Sequence, residues 1–461
     1  MKRNHILISV SLVAALLLAA CNWGKGEVTV DLTKPVSSEN RVIYQLNIGA
    51  FTQEGTFKAT QEQLARLDTL GVDILWLMPI YPRGESKNSP YASMNFYEIN
   101  PAYGTTSDLK AFVAAAHERG MKVWLDWVPN HVAVENPWVK EHPEYFTKDR
   151  KGQMIHPNGW GDVFELNYQD EGLVNAMNGA LKFWIDSCDV DGFRCDYVTS
   201  PAIPVSYWQH ILAELKSRGG KTIEFLSETD ISDPNNIRID SCGFDYDYAW
   251  EFQGQLAWKF NTSDRADSLK MIIDKFLEGS KAIKNRRMIY LTNHDQNYND
   301  GGHTLKDFYG DNRYALTVMQ FTLYGMPLLY QGQEIGDPDT LNYFTDAKVK
   351  WEKIDRKMKN TVRTLVALHH TQPSLAADAP VEFLTTNSPK VLAYQRGPVL
   401  VLLNLGTDDA EVKMALQNPG SYTQWLDSRT ISEAPAITDV SLDALATISL
   451  EAKGFAVYVK K

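Results

Sequence analysis

Short apolar segments alternate with amphipathic helical stretches from Arg41 onward, and this alternation restricts the fold more than any other feature of the chain. Such an order is typical of βαβ units in a parallel sheet. Eight segments are predicted as strands: Val42–Leu46, Ile74–Leu77, Lys122–Trp127, Gly192–Asp196, Glu224–Glu228, Phe244–Tyr246, Met288–Leu291 and Pro327–Tyr330. Eight parallel strands match a closed (β/α)8 TIM barrel of the α/β class. An open doubly wound sheet would need a glycine-rich nucleotide turn after its first strand, and the sequence has none there.

Helix signals lie between the predicted strands. Thr60 and Gln63 have the spacing of a capping box, and Gly71 is placed to end the helix that follows. Periodic apolar residues predict further helices at Thr106–Arg119, Glu171–Asp186 and near Met358–His370.

Two regions after Arg41 differ in pattern from the barrel, which is predicted over residues 40–376. Residues 132–169, after the third strand, are rich in Pro, Gly, Trp and His, and we interpret them as a short inserted lobe with a functional role. After Pro373 the alternation becomes that of an all-β unit, so a C-terminal β-sandwich is predicted over residues 377–461. Its predicted strands are Val381–Leu384, Val391–Arg396, Val399–Leu405 and Phe455–Val459.

The N-terminal twenty residues have the pattern of an export segment, with a basic start and an apolar run from Ile6 to Ala20. The run ends in Leu18-Ala19-Ala20-Cys21, which resembles the bacterial lipobox and predicts lipid acylation of Cys21. Residues 21–39 would then be a tether. We expect an exported lipoprotein anchored to a lipid membrane, periplasmic or on the cell surface; the alternative is a plain signal peptide.

Composition excludes one class of partner. The net charge is −11, and phosphate binding needs clustered Lys and Arg, so no nucleic-acid partner is expected. Cys188, Cys195 and Cys242 fit neither a disulfide framework nor a zinc site, and we interpret them as core residues. A Cys188–Cys195 bridge remains an alternative.

Acidic residues end three of the predicted strands. Asp196, Glu228 and Asp295 follow the fourth, fifth and seventh strands, and carboxyl ends of barrel strands converge on one cleft. Alternation along the fourth strand places Arg194 on the same side as Asp196. Three converging carboxylates suit glycosidic cleavage, in which one attacks the anomeric carbon and a protonated one serves the departing oxygen.

These segments resemble the signature regions of the alpha-amylase family, glycoside hydrolase family thirteen. The similarity runs from about Arg41 to the C-terminus. It is carried by Asp126–His131, Gly192–Asp196, Glu228, Asn293-His294-Asp295, Gly325–Glu334 and Val163–Asn167.

The resemblance implies a retaining mechanism with a covalent glycosyl intermediate. It also implies a role for each matching residue: Asp196 as nucleophile, Glu228 as general acid/base, Asp295 as stabiliser of the transition state, Arg194 as partner of Asp196, His131 and His294 as ligands of sugar hydroxyls, and Tyr91 as the aromatic under the sugar.

The chain departs from the family pattern after the nucleophile position. Many members have a Lys-His pair there, whereas Tyr197-Val198-Thr199-Ser200 follows Asp196, so contacts to the leaving sugar must differ. Many members also bind calcium beside the lobe. Asn130 occupies one ligand position, but no Asp cluster completes an oxygen cage, so no metal and no other cofactor is expected.

Four tryptophans are candidates for lining a glucan groove: Trp127, Trp138, Trp160 and Trp250. Trp138 and Trp160 are favoured because they lie in the lobe, and Trp127 is expected in the core.

The predicted function is cleavage of α-1,4-glucosidic bonds in starch or maltodextrins, as in an alpha-amylase. A maltogenic or cyclodextrin-cleaving enzyme, an α-glucosidase and a transglycosylase use the same carboxylates and stay open as alternatives. A non-catalytic binding protein on this scaffold is disfavoured because all three acids are present.

Overall fold

The computed structural model describes residues 35–229, 239–299, 302–337, 339–375, 379–432 and 437–461. The predicted export segment, Cys21 and most of the predicted tether lie outside these ranges, as does the predicted boundary at residues 376–377. The chain is fixed to the barrel from Val36 onward: the Val36 N–H donates to His370 O at 3.0 Å, and Asn40 Nδ2 donates to His369 O at 2.9 Å.

Eight parallel strands form a closed barrel, which confirms the predicted fold class. The strands up to residue 330 are β1 (Ile43–Leu46), β2 (Ile74–Leu77), β3 (Lys122–Trp127), β4 (His131–Ala133), β5 (Val163–Glu165), β6 (Gly192–Cys195), β7 (Glu224–Ser227), β8 (Tyr246–Tyr248), β9 (Arg286–Ile289) and β10 (Met326–Tyr330). β4 and β5 pair with each other in the inserted lobe, and the other eight form the barrel. β10 closes it against β1.

Helices surround the barrel. The α-helices are Ile48–Phe51, Phe57–Glu62, Leu64–Leu70, Thr106–His117, Trp138–Glu141, Glu171–Cys188, Val205–Leu215, Trp250–Gln255, Ala266–Ser280, Leu305–Tyr309, Asn312–Thr322 and Arg356–Thr371. Two π-helical segments, Leu256–Phe260 and Asp295–Asn299, and short 3-10 turns complete the helical structure of the described residues. No helix in this part of the chain has both the length and the apolarity to cross a bilayer.

The barrel interior is a packed core and not a pore. Alternation along each strand sends one set of side chains inward, including Ile43, Trp76, Trp124, Tyr248 and Met288. The neighbouring residues on the same strands, such as Leu75, Leu125 and Phe193, pack outward beneath the helices. These inward side chains fill the interior and leave no channel through the barrel.

The predicted start of the first long helix is wrong. Thr56, not Thr60, caps it, because Thr56 Oγ1 accepts from the Ala59 N–H at 3.3 Å. Thr60 is buried inside Phe57–Glu62, and Gln63 lies at the junction with Leu64–Leu70. The predicted end at Gly71 is confirmed: its φ of 90° lies in the left-handed region that glycine tolerates.

Two strands lie two residues away from their predicted positions. β8 starts at Tyr246 because Phe244 packs against Trp208, with ring centroids 5.2 Å apart. β9 starts at Arg286, whose charge, like that of Arg287, is neutralised by an ion pair with a glutamate. A shift of two residues leaves every side chain on its predicted face, since the strand repeat is two.

An antiparallel β-region follows the barrel, as predicted. Its strands are β11 (Glu382–Leu384), β12 (Val391–Arg396), β13 (Val399–Asn404), β14 (Ala410–Ala415), β15 (Gly420–Asp427), β16 (Thr438–Leu442), β17 (Leu445–Leu450) and β18 (Phe455–Lys460). Six of them form one sheet, and the β14–β17 pair covers one of its faces through residues such as Leu402 and Ile448. The other face, with Tyr394 and Val401, belongs to the core shared with the barrel.

The three cysteines among the described residues are all buried. Cys188, Cys195 and Cys242 form no disulfide, so the interpretation as core residues is confirmed and the Cys188–Cys195 bridge is excluded.

Candidate active site

A cavity of about 700 Å³ opens at the carboxyl ends of the barrel strands. All three acids predicted from the sequence line it, together with Tyr91, His131 and His294. The side chains of Asp196, Glu228 and Asp295 are 12%, 16% and 21% exposed, so each is withdrawn from bulk water but open to a ligand. The fold therefore brings together residues that are distant in the chain.

Arg194 lies beneath the cavity and contacts three carboxylates. Its Nη1 lies 2.9 Å from Asp126 Oδ1 and 2.9 Å from Asp196 Oδ1, and its Nη2 lies 2.7 Å from Glu228 Oε1. The guanidinium is fully buried, as β6 places it inside the barrel mouth. A planar guanidinium can hold several carboxylates at fixed angles, which an ammonium cannot do.

One positive charge does not neutralise three buried carboxylates. Burial raises the pKa of Asp196, and the charges of Asp126 and Asp295 act in the same direction, while Arg194 offsets only part of the shift. Burial also raises the pKa of Glu228, further than that of Asp196. A proton shared by this pair therefore resides on Glu228, which leaves Asp196 ionised.

Asp126 is a site residue that the predicted catalytic set omitted. It is fully buried at the end of β3, where its Oδ2 accepts from Trp76 Nε1 at 3.1 Å and from the Tyr91 hydroxyl at 3.2 Å. Burial raises its pKa to about 6. Its position at a barrel strand end, the criterion that selected the other acids, was available in the sequence.

His294 links Tyr91 to Asp295. The rings of His294 and Tyr91 are stacked with centroids 5.2 Å apart, and Tyr91 Oη lies 2.6 Å from His294 Nε2. Asp295 Oδ2 lies 3.5 Å from the same nitrogen, and Gln45 Nε2 lies 2.8 Å from Nδ1. Burial lowers the pKa of His294 to about 4, so the ring is neutral near pH 7 and can donate one hydrogen bond.

His131 lies on the lobe side of the cavity, at the start of β4. Asn130 Nδ2 lies 3.0 Å from its Nδ1, and burial lowers its pKa to about 4. Like His294, it is a neutral hydrogen-bonding group facing the cavity.

Asp295 begins a π-helical segment, Asp295–Asn299, and such segments are frequent at functional sites. Asn297 fixes this segment: its Nδ2 donates to Asp337 Oδ1 at 3.0 Å, and its Oδ1 accepts from the Leu341 N–H at 2.6 Å. Asp337 Oδ2 also accepts from the Leu305 N–H at 2.9 Å. Asn297 and Asp337 are 40 residues apart in the chain, so no local pattern in the sequence connects them.

Two of the four candidate tryptophans line the cavity. Trp160, in the lobe, and Trp250, after β8, do so. Trp138 does not, which corrects the prediction; its ring packs against Phe96 and Tyr145 at 6.1 and 5.4 Å. Trp127 is fully buried in the core, as expected.

The lobe also reaches the cavity through an ion pair. Lys87 Nζ, on the loop after β2, lies 2.8 Å from Asp162 Oδ1, and both residues line the cavity. This contact joins the lobe to the barrel at the rim.

The calcium position expected from the family resemblance includes Asn130. Asn130 Oδ1 is a buried oxygen without a hydrogen-bond partner, but calcium takes about 6–8 oxygen ligands. Among the described residues, no group of three or more His, Cys, Asp or Glu could hold a metal. The one acid of the lobe that lines the cavity, Asp162, pairs with Lys87.

A (β/α)8 barrel with three carboxylates around a cavity at its strand ends is the architecture of a glycoside hydrolase. The model of the alpha-amylase catalytic domain matches residues 36–165 and 162–370. The chain belongs to the alpha-amylase family, glycoside hydrolase family 13.

Three relatives illustrate the range of this family. The alpha-amylase MalA of Haloarcula japonica is 28% identical over 84% of this chain and 58% of its own length. The malto-oligosyltrehalose trehalohydrolase of Saccharolobus solfataricus is 30% identical over 68% of this chain and 60% of its own length. The crystal structure of a maltogenic alpha-amylase, AmyB of Thermotoga neapolitana, superposes with a TM-score of 0.75 at 25% identity, over 92% of this chain and 99% of that one. The chain thus spans less than two thirds of the first two relatives.

Proposed function

We propose that this protein is a retaining glycoside hydrolase that cleaves α-1,4-glucosidic bonds in starch or maltodextrins, as an alpha-amylase does. The observation that carries the proposal is the single guanidinium of Arg194 in contact with both Asp196 and Glu228. Two carboxyl groups on adjacent nitrogen atoms favour the separation of about 5–5.5 Å typical of retaining enzymes over the about 6.5–9.5 Å of inverting ones.

In the first step, ionised Asp196 attacks the anomeric carbon. The bond from that carbon to the glycosidic oxygen breaks, and protonated Glu228 transfers its proton to the departing oxygen. The products are a glycosyl ester on Asp196, a shortened glucan and an ionised Glu228. Because its pKa is raised, Glu228 keeps the proton that it donates. The contact with Arg194 keeps Asp196 ionised.

In the second step, Glu228 acts as the base. It takes a proton from a water molecule, whose oxygen attacks the anomeric carbon and releases Asp196 as a carboxylate. The sugar leaves with its original α configuration after two inversions.

The other predicted residues bind the sugar at the cleavage point. Asp295 places negative charge beside the developing oxocarbenium ion. The neutral rings of His131 and His294 line the cavity where hydroxyl groups of that sugar would bind, and Tyr91 provides an aromatic face held by His294 and Asp126. The Tyr91 hydroxyl donates to Asp126 and accepts from His294, and these two bonds fix the orientation of its ring before substrate binds.

A maltogenic or cyclodextrin-cleaving specificity is the second candidate. The similarity to the maltogenic alpha-amylase AmyB of Thermotoga neapolitana favours it. The absence of a Lys-His pair after Asp196 means that contacts to the leaving sugar differ from those of many family members.

NMR of the first product formed from maltoheptaose tests the mechanism. We expect the α-anomer at early times, and initial β-anomer would exclude retention. Chromatography of products from maltoheptaose, starch and cyclodextrin separates the two specificities, because maltose as the dominant product indicates the maltogenic one. Asp196→Asn is the control: it should fold as the wild type and form no product, and near-normal turnover would exclude Asp196 as nucleophile.

We also propose export and acylation at Cys21, and activity without calcium. Metabolic labelling with a radioactive fatty acid tests the first, because label should appear on the wild type and not on Cys21→Ser. Cell fractionation would then give the membrane location. Assays after exhaustive treatment with EDTA test the second, and loss of activity that calcium restores would contradict it.

A further inference from the structure

Tyr197, the residue after Asp196, has a strained backbone. Its φ is 42°, in the strained left-handed region that bulky residues rarely adopt. This conformation directs its N–H to Glu228 Oε2, at 2.8 Å. A strained backbone of this kind persists only where its surroundings stabilise it. Here the Tyr197 N–H bond to Glu228 links the residue after Asp196 to the second carboxylate.

The ring of Tyr197 extends into the cavity beside Trp160. The two rings are edge to face, with centroids 6.1 Å apart and an interplanar angle of 63°. Both line the cavity, and Trp160 is 41% exposed. Trp160 in turn packs edge to face on His131, at 5.4 Å. One ring comes from the barrel and the other from the lobe, so this aromatic pair spans both walls of the cavity.

The position of Glu228 indicates which sugar this pair meets. A general acid must lie within hydrogen-bond reach of the oxygen that departs, so the leaving sugar lies beside Glu228. The Tyr197 backbone N–H is hydrogen-bonded to the Glu228 carboxylate, so the Tyr197 ring is also held close to Glu228. By contrast, Tyr91 contacts His294 and Asp126, and it faces the sugar that becomes bonded to Asp196.

We propose that Tyr197 and Trp160 form the platform that binds the leaving sugar, and that Tyr197 also positions Glu228 through its backbone N–H. This proposal rests on the proposed function and specifies its acceptor side. Aromatic rings bind the apolar faces of sugars by burying them from water.

The same platform would hold an acceptor in the second step. A hydroxyl group of a bound glucan can replace water: its oxygen bonds to the anomeric carbon, Glu228 takes its proton, and the bond to Asp196 breaks. Transfer and hydrolysis then compete for one intermediate, and occupancy of the platform sets their ratio. Tyr197 is in this respect a specificity-determining residue.

Two substrates separate binding at the platform from bond cleavage. Maltotriose requires a sugar on the platform, whereas the fluoride of α-maltosyl fluoride leaves without a sugar and needs little protonation. The measured quantity is kcat/KM for maltotriose divided by that for α-maltosyl fluoride, together with the fraction of transfer products at high maltotriose concentration.

Tyr197→Asn removes the ring but keeps a residue that tolerates the left-handed backbone, so the N–H bond to Glu228 is retained. We expect the substrate ratio to fall about tenfold or more, mainly through KM for maltotriose, and transfer products to decrease. Trp160→Ala should give the same change through the other ring. Tyr197→Phe keeps the ring and should stay within about twofold of the wild type.

Trp258→Ala is the matched control, because Trp258 is 59% exposed and is not among the residues that line the cavity. Melting temperatures identify any variant that fails to fold. If Tyr197→Asn and Trp160→Ala both fold and both keep the wild-type ratio of kcat/KM values, the platform is excluded. The proposed function is then unaffected. A wild type that converts neither substrate would overturn the proposed function and the platform with it.

Discussion

Each end of the barrel contains a buried arginine paired with carboxylate groups. The ratio of positive to negative side chains is opposite at the two ends. At the amino ends of the strands, Arg41 Nη2 lies 2.6 Å from Glu224 Oε1, and Lys122 Nζ lies 3.0 Å from Glu224 Oε2. Two cations there serve one carboxylate. At the carboxyl ends, Arg194 alone serves Asp126, Asp196 and Glu228.

The two proportions have opposite effects on the acids. Burial tends to raise the pKa of Glu224, but the hydrogen bonds and charges of Arg41 and Lys122 outweigh it, and the pKa is lowered. Burial raises the pKa of both Asp196 and Glu228, and one arginine does not reverse it. The ion pairs of Glu224 at the amino ends therefore stabilise the fold. The carboxylates at the carboxyl ends keep a proton near neutral pH, and their burial lowers the stability of the fold.

The largest expected effect comes from replacing the shared arginine. In Arg194→Lys, one ammonium cannot contact three carboxylates in the geometry of a guanidinium, so kcat should fall about 100-fold or more. Arg41→Lys is the matched variant at the other end and should keep kcat at temperatures below its melting point. Equal losses of kcat in Arg194→Lys and Arg41→Lys would contradict a specific catalytic role for the Arg194 cluster. Steady-state kinetics on maltotriose, with a melting curve for each variant, is the measurement.

The next effect is on stability alone. Glu224→Gln leaves Arg41 and Lys122 without their shared carboxylate, which should lower the free energy of unfolding by about 3 kcal/mol with kcat retained. Because the folded pKa of Glu224 is lowered from 4.5, its stabilisation is complete above pH 4.5 and is lost as the pH falls through the folded value. Urea denaturation at several pH values should show that acid-dependent loss in the wild type and less of it in the variant.

A smaller effect tests how Asp295 is held. Asp337 is a buried acid bound by neutral donors, Asn297 Nδ2 and the Leu305 N–H, and burial raises its pKa to about 7. Asn297→Ala removes one donor and loosens the segment that begins at Asp295, so kcat should fall about tenfold while KM changes little. Asp337→Asn should act through the same contact, so the double variant should lose no more than either single one. Additive losses would exclude a shared role.

The smallest effect is a shift in pH dependence. The negative charge of Asp126 raises the pKa of Asp196, so Asp126→Asn should lower that pKa and move the acidic limb of the kcat/KM profile to lower pH. Glu224→Gln, at the other end, should leave the limb in place. A limb that moves to higher pH in Asp126→Asn would contradict the proposed interaction.

Much of the barrel was predictable, because strand and helix repeats are written in the order of apolar residues. β2, β3 and β12 coincide with their predicted ranges, and four barrel strands differ by one residue at one end. The four strands β14 to β17 were not predicted, although β14 and β17 alternate buried and exposed residues as strands with one buried face do.

The candidate site was partly predictable. Its acids are found by their position after strands, and this criterion includes Asp126. Its place in the lobe favours Trp138 as a cavity residue, yet whether a lobe residue faces the barrel or its own core depends on how the lobe folds back.

By itself, the sequence determined the eight-stranded alternation, the acids at the strand ends and the family to which the chain belongs. Only the tertiary structure decided that one arginine would serve three carboxylates, that Asp337 would hold the segment of Asp295, and that Tyr197 would turn its N–H toward Glu228. The physical reason is the distance along the chain between the interacting residues. Repeats and strand ends are local in the chain, whereas these contacts join residues brought together by closure of the barrel, and burial there sets their charges.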